Sequence, residues 1–168
     1  WFLTKGGKIK APLTPPARGP ACKWGVWTRG AGGTGALMAG GQCGWAGSIS
    51  YALMSEPLAR GYATASTDTG HQGSNVDGSF AFGHPEKLID FGDRAVHEMT
   101  LNAKTIIAAY YGAAVKRSYW NGCSTGGRQG LKEAQRFPAD FDGIVAGAPA
   151  NYWTHFNAQF IWVGQAVN

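Results

Sequence analysis

The sequence has little that would carry it into a membrane or onto a nucleic acid. No run approaches 18 uninterrupted apolar residues, which excludes a membrane-spanning helix. The 15 Lys and Arg residues outnumber 10 acidic ones, for a formal charge of +5. They are scattered, however, through Lys5, Lys8, Lys10, Arg18, Arg60, Lys104, Lys116 and Arg136. Without a dense basic cluster the charge reads as a solvated face, and no nucleic-acid partner is expected. There is no initiator Met and no charged segment leading into an apolar run, so no signal peptide is visible. Cysteine is scarce, and the odd count of Cys22, Cys43 and Cys123 leaves at least one without a partner inside the chain. A Cys22–Cys43 bond and two free thiols are both open. With an apolar, aromatic C-terminal end besides, the expectation is a fragment. No metal or cofactor is expected in this chain.

What the chain does have is glycine, 26 of its 168 residues, much of it before Gly47. That length suits one domain. Residues 1–43 hold Pro12, Pro15, Pro16 and Pro20 and then the stretch GAGGTGALMAGG, with little periodicity of either kind. They are expected to be loop, with one short strand near Trp24 to Thr28. Gly30, Gly32 and Gly35 satisfy the G-x-G-x-x-G spacing of a dinucleotide site. The context fails, because the glycine-laden segment that follows cannot be a helix.

Residues 44–168 form the expected core. GYATASTD (Gly61 to Asp68) has the small, β-branched character of a buried strand. His84-Pro85-Glu86 suits the start of a helix. Val96, Met99, Ala103, Ile106, Ile107 and Tyr110 recur at three- and four-residue steps, one face of a helix over about Leu88 to Tyr111 that Gly112 ends. RSYWN (Arg117 to Asn121) reads as a strand. Thr125 to Arg136 reads as a helix with Leu131 and Ala134 inward, and GIVAGAP (Gly143 to Pro149) as a buried strand. This alternation predicts an α/β protein with a mostly parallel sheet flanked by helices. In such sheets, sites gather at the carboxyl ends of the strands.

Ser124 falls at such an end, in the G-x-S-x-G of YWNGCSTGGRQG. A strand before it and a helix after it are the context of a strained turn that thrusts out a nucleophilic hydroxyl. Side chains at Gly122 and Gly126 would collide with neighbouring elements. The Thr125 N–H, at the helix start, is placed to bind the oxyanion formed when Ser124 attacks an ester carbonyl. The plainer alternative is a glycine-rich turn with Ser124 as N-cap.

YWNGCSTGGRQGLKEAQRFPADFDGIVAGAPANYW closely resembles the tannase and feruloyl esterase family of α/β-hydrolases, as do RGYATASTDTGHQG and FGHPEKLIDFGDRAVHEMTLNAK. The likeness runs from about Gly44 to Trp162. It implies a partial α/β-hydrolase fold whose lid domain, with a structural calcium, and C-terminal part are absent. It implies a secreted serine esterase acting on small aromatic ester substrates of the feruloyl or galloyl kind. Its nucleophile matches Ser124, and its adjacent cysteine matches Cys123, which in the family pairs with a cysteine beside the catalytic histidine. Such a bond would clamp nucleophile and base at a fixed separation. The second oxyanion donor is implied in GGQCGWAG (Gly40 to Gly47), with Gly44 as the best single position.

The triad of this fold follows the chain order Ser, acid, His. After Ser124 come only Glu133, Asp140, Asp142 and the single histidine His155. Asp140 and Asp142 precede GIVAG, and a five-residue strand spans about 17 Å, so they belong to the wrong edge of the sheet. Nothing in the sequence orients His155. The acid and histidine are therefore expected in a C-terminal part of the same protein, and the isolated chain is expected to be nearly inert. Asp68 and His71, in STDTGHQG, are candidates for the substrate pocket, against a turn in which Asp68 bonds its own backbone. Trp153, with Tyr152, Phe156, Phe160 and Trp162, could line a pocket or dock elsewhere. His84 and His97 read as helix-start and solvated-face residues. A non-catalytic α/β module binding a ligand or partner chain is the rival reading.

Overall fold

The computed structural model describes residues 24–27 and 35–167. Cys22, Gly30 and Gly32 lie outside the described residues. The strands are β1 (Trp24–Trp27), β2 (Ala36–Gly40), β3 (Ala63–Thr67), β4 (Arg117–Cys123) and β5 (Gly143–Gly147), in the sheet order β1-β3-β2-β4-β5. Strands β3, β2, β4 and β5 run parallel, and β1 joins β3 antiparallel at one edge. The helices are α1 (Tyr51–Ala59), α2 (Pro85–Ile89), α3 (Ala95–Tyr111), α4 (Thr125–Arg136) and α5 (Trp153–Val167). Among the described residues no helix is long and apolar enough to cross a membrane.

The expected α/β alternation is present. All five residues of β3 are buried, and the short Ala and Thr side chains let α3 approach the sheet closely. Val96, Met99, Ala103, Ile106 and Ile107 of α3 close over Leu37, Ala39, Ala63, Ala65 and Trp120, and this is the core. Gly112 ends α3 in the left-handed region at φ 70. The helix read as continuous from Leu88 is interrupted, because Asp90–Arg94 form a single π-helical turn. That turn buries Asp90 and Phe91, and such insertions commonly mark functional regions.

Four local readings need correction. β2 forms where loop was expected: β3 and β4 flank it on both sides and supply the ladder that the glycine-rich sequence conceals. α1 was not foreseen, since it carries Pro57 in its interior, an unfavourable position for a helix. Leu131 and Ala134 of α4 face solvent, and the buried residues are Thr125, Gly126, Gly127, Gln129, Gly130 and Glu133. The helix lies so close to the sheet that glycine, not leucine, fits between them. β5 is only half-buried and forms the other sheet edge, with Val145 63% exposed.

Candidate active site

Strand β4 delivers Ser124 to the carboxyl edge of the sheet, and α4 starts at the next residue. Ser124 adopts φ 59 and ψ −119, a conformation costly for a residue with a Cβ. Its surroundings hold it there. The Ser124 amide donates to Gly147 O at the end of β5 (3.0 Å), while Ser124 O accepts from the amides of Arg128 and Ala150, both at 3.1 Å. The serine backbone is thus fixed by α4 on one side and by the β5–α5 connection on the other.

Close backbone approach explains the glycines. A Cβ on Gly122 would lie 2.5 Å from the carbonyl carbon of Gly126, and one on Gly127 would lie 2.5 Å from Gly147 O. On Gly130 it would meet Trp120 Cδ1 at 2.6 Å, and on Gly41 Trp120 Cζ2 at 2.7 Å. Trp120 is the pivot of this packing: it is buried, and its indole N–H donates to Gly126 O (2.9 Å). The sequence motif pointed to Gly122 and Gly126. Gly41, Gly127 and Gly130 were missed because their partners are distant in sequence.

The loop after β2 reaches the first turn of α4. Gly126 donates its amide to Gln42 O (2.7 Å), and the Gln42 amide donates to Gln129 Oε1 (3.3 Å). The Gln42 side chain is buried and donates to Thr67 O (2.9 Å) and to Ser48 O, tying this loop to β3. Gly44, at φ 54, packs against Asn75, whose carbonyl accepts from Trp45 N (2.9 Å). Among the described residues the amides of Thr125, Cys43 and Gly44 have no hydrogen-bond partner. Cys43 and Cys123 are both exposed, free thiols.

Around this edge stands an aromatic wall. Trp45 stacks on Phe91 (centroids 5.4 Å) and meets Trp153 edge-on (5.0 Å); Trp153 in turn stacks on Phe156 (6.0 Å). The π turn at Asp90–Arg94 is what brings Phe91 there. Arg128 lies over the rings of Phe91 and Trp153, 5.2 Å from each. Asp68 and His71 are both buried. Asp68 Oδ1 accepts from the Gly70 amide (3.0 Å), the self-capped turn set out above as the alternative. His71 stacks on Phe80 (3.5 Å) and its Nε2 lies 2.7 Å from Trp45 O, so it braces the loop that carries Trp45. His155 is exposed on α5, its ring edge-on to Tyr152 (6.4 Å).

The acids after Ser124 lie at the opposite edge, as expected. Asp142 Oδ2 accepts from the Ser118 amide (2.8 Å) near the start of β4, and Arg117 approaches its other oxygen at 3.3 Å. His97 is not a solvated-face residue: it stacks on Phe137 (3.9 Å), and its Nδ1 sits 2.6 Å from Asp140 Oδ2. One donor atom each from His97, Asp140 and Glu133 lies within 4.8 Å of the others, the one such grouping among the described residues. Burial, followed by the charge of Asp140, pushes the Glu133 carboxyl from 4.5 up to about 8. The folded protein therefore retains a proton that the unfolded chain loses near its ordinary carboxyl range. This contribution to stability is full in acid and is lost as pH rises toward 8, by at most about 1.4 kcal/mol per pH unit. In the full-length protein, Glu133→Gln should flatten the decline of Tm between about pH 5 and 8; an unchanged slope would assign the decline elsewhere.

A sharp serine turn between parallel strand and helix occurs in many hydrolases. The family model described as tannase and feruloyl esterase matches residues 14–168. The chain belongs to this family. The match reaches back into the N-terminal segment where no resemblance was visible. An uncharacterized esterase of Xanthomonas campestris pv. campestris is 42% identical over 150 residues, 89% of this chain and 26% of that protein. A probable feruloyl esterase B-1 of Aspergillus fumigatus is 46% identical over 117 residues, 70% of this chain and 22% of that protein. The crystal structure of an esterase from Aspergillus oryzae superposes with a TM-score of 0.73 at 40% identity, covering 77% of this chain and 25% of that one. The chain spans about a quarter of the length of the family members it matches. Its fold is the family's α/β-hydrolase architecture in part.

Proposed function

We propose that the protein containing this chain is a carboxylic ester hydrolase that cleaves aromatic esters of the feruloyl or galloyl kind through an acyl-enzyme on Ser124. The observation that carries this reading is the strained Ser124 backbone, at φ 59, beside a Thr125 amide with no partner among the described residues. The Ser124 Oγ attacks the ester carbonyl while its proton passes to a histidine base. The tetrahedral oxyanion accepts hydrogen bonds from the Thr125 N–H and from the loop after β2, at Gly44 with the Cys43 amide beside it. Collapse expels the alcohol, which takes the proton back, and water then repeats the attack to release the acid.

The acid and histidine of the triad belong to sequence outside this chain, and Cys123 forms its disulfide there, next to that histidine. The exposed position of the Cys123 thiol is compatible with this. The aromatic wall of Trp45, Phe91, Trp153 and Phe156 supplies ring faces for an aromatic acyl group. Asp68 and His71 act behind that wall as supports. Secretion fits a protein whose base is clamped by a disulfide.

The test is covalent labelling. A fluorophosphonate should modify the full-length protein at Ser124, located by peptide mass, and hydrolysis of an aryl cinnamate should cease in step with labelling. A folded full-length protein that remains unlabelled would overturn the proposal.

A further inference from the structure

Arg128 rises one turn beyond Ser124, and its amide donates to Ser124 O (3.1 Å). Its guanidinium lies over the rings of Phe91 and Trp153. Both Nε and Nη2 are buried with no acceptor among the described residues. The basic residues nearest it on α4 and the π turn are placed differently: Arg94 pairs with Asp90 and Glu86, and Lys132 with Asp93. Burial without a facing anion holds the Arg128 guanidinium below its usual range. A guanidinium edge kept from water without an acceptor is costly, and the cost is offset when a counter-charge arrives.

Nε and Nη2 form one edge of the guanidinium, spaced to donate side-on to both oxygens of one carboxylate. Of the two rings that Arg128 faces, Trp153 is the less secured, half-buried where Phe91 is buried. Trp153 opens α5, a helix in which no residue is buried. The connection leading to it contains Ala148 at φ 36 and Tyr152 at φ 47, left-handed conformations unusual for residues with a Cβ. Trp153 lies beyond Ala150, the residue of this connection whose amide anchors it on Ser124 O.

We propose that Arg128 is a carboxylate-binding position beside Ser124, roofed by Trp153, that selects aromatic esters carrying a second, free carboxylate. The aromatic ring packs on the wall while the carboxylate takes the Nε–Nη2 edge. This rests on the esterase reading for its consequence in turnover, but not for the binding itself. An Asp or Glu side chain from sequence outside this chain offers the same chemistry, and the experiment separates the two sources.

The full-length Ser124→Ala protein is titrated with methyl 4-carboxycinnamate and with the neutral methyl 4-carbamoylcinnamate. The acid should bind on the order of 10- to 100-fold more tightly. Adding Arg128→Gln should abolish that preference, and Arg128→Lys should restore part of it. If the two ligands bind alike but Arg128→Gln lowers Tm by several degrees, the carboxylate comes from the protein itself, and selection of substrate is overturned. If preference and Tm are both indifferent to Arg128→Gln, or neither ligand binds and Tm does not move, the assignment is overturned altogether. Turnover of both esters by the unsubstituted protein is read in parallel. Preferential binding without turnover would remove the esterase reading and keep Arg128; equal turnover with indifferent binding would do the reverse.

Discussion

The full-length Ser124→Ala protein should lose about four orders of magnitude or more in kcat/KM toward an aryl ester, with the loss in kcat. Alanine deletes one oxygen and keeps the Cβ, so it removes the nucleophile without relieving the backbone. Tm should therefore change little. A second variant separates chemistry from strain. Ser124 holds φ 59 and ψ −119, which glycine adopts without a Cβ clash. Ser124→Gly should be as inactive as the alanine variant yet more stable than it, by about 1 kcal/mol in urea denaturation. If alanine retained a tenth of the activity, Ser124 would not be the nucleophile. If glycine were no more stable than alanine, the turn would not be strained.

The largest expected effect on stability comes from Gly122. A methyl group there would press into the Gly126 carbonyl and lie 2.8 Å from Trp120 Nε1, where the indole N–H already donates to Gly126 O. Backbone cannot retreat as the end of a flexible side chain can, so α4 would have to lift off β4. Gly122→Ala should cost about 3 kcal/mol or more, at the upper end of overpacking, and should depress activity beyond the loss of folded protein. The contrast is Gly92→Ala. Nothing lies within 4 Å of that added Cβ, and its φ is unexceptional. There the change should stay within about 0.5 kcal/mol. Equal tolerance at both positions, measured by chemical denaturation, would contradict the close contact between α4 and the sheet.

The helix α3 and the strands β3, β4 and β5 were legible because each shows its own periodicity or its own run of small, branched residues. The sharp turn at Ser124 was legible because its motif is contiguous. What escaped depended on neighbours. β2 lies within a glycine-dense stretch whose strand character comes from pairing with β3 and β4. α5 escaped because none of its residues is buried, so it lacks the one-sided burial by which a helix is recognised. The inward face of α4 was misread for a related reason: apolar side chains were expected to point to the core, but Gly126 is held close to the loop after β2, Gly127 to the end of β5 and Gly130 to Trp120 of β4, with Gln129 and Glu133 turned in as well. Arg128 drew no notice because Phe91 and Trp153 meet it across 37 and 25 residues of chain. His97 likewise acquires its role only from Asp140, in another loop.

The hydrogen bond from Gly126 to Gln42 joins the loop after β2 and the first turn of α4 into one floor, and glycines packed on Trp120 let the two approach. The rings that would meet a substrate stand above it on separate supports: a loop turn, a π turn and the start of α5. If Ser124 is the nucleophile proposed above, the reacting groups and the aromatic wall are encoded by different sets of positions, with Arg128 on α4 joining the two. Under that proposal, exchange of Trp45, Phe91, Trp153 or Phe156 should change which esters are accepted while the Ser124 turn and the loop after β2 stay as they are.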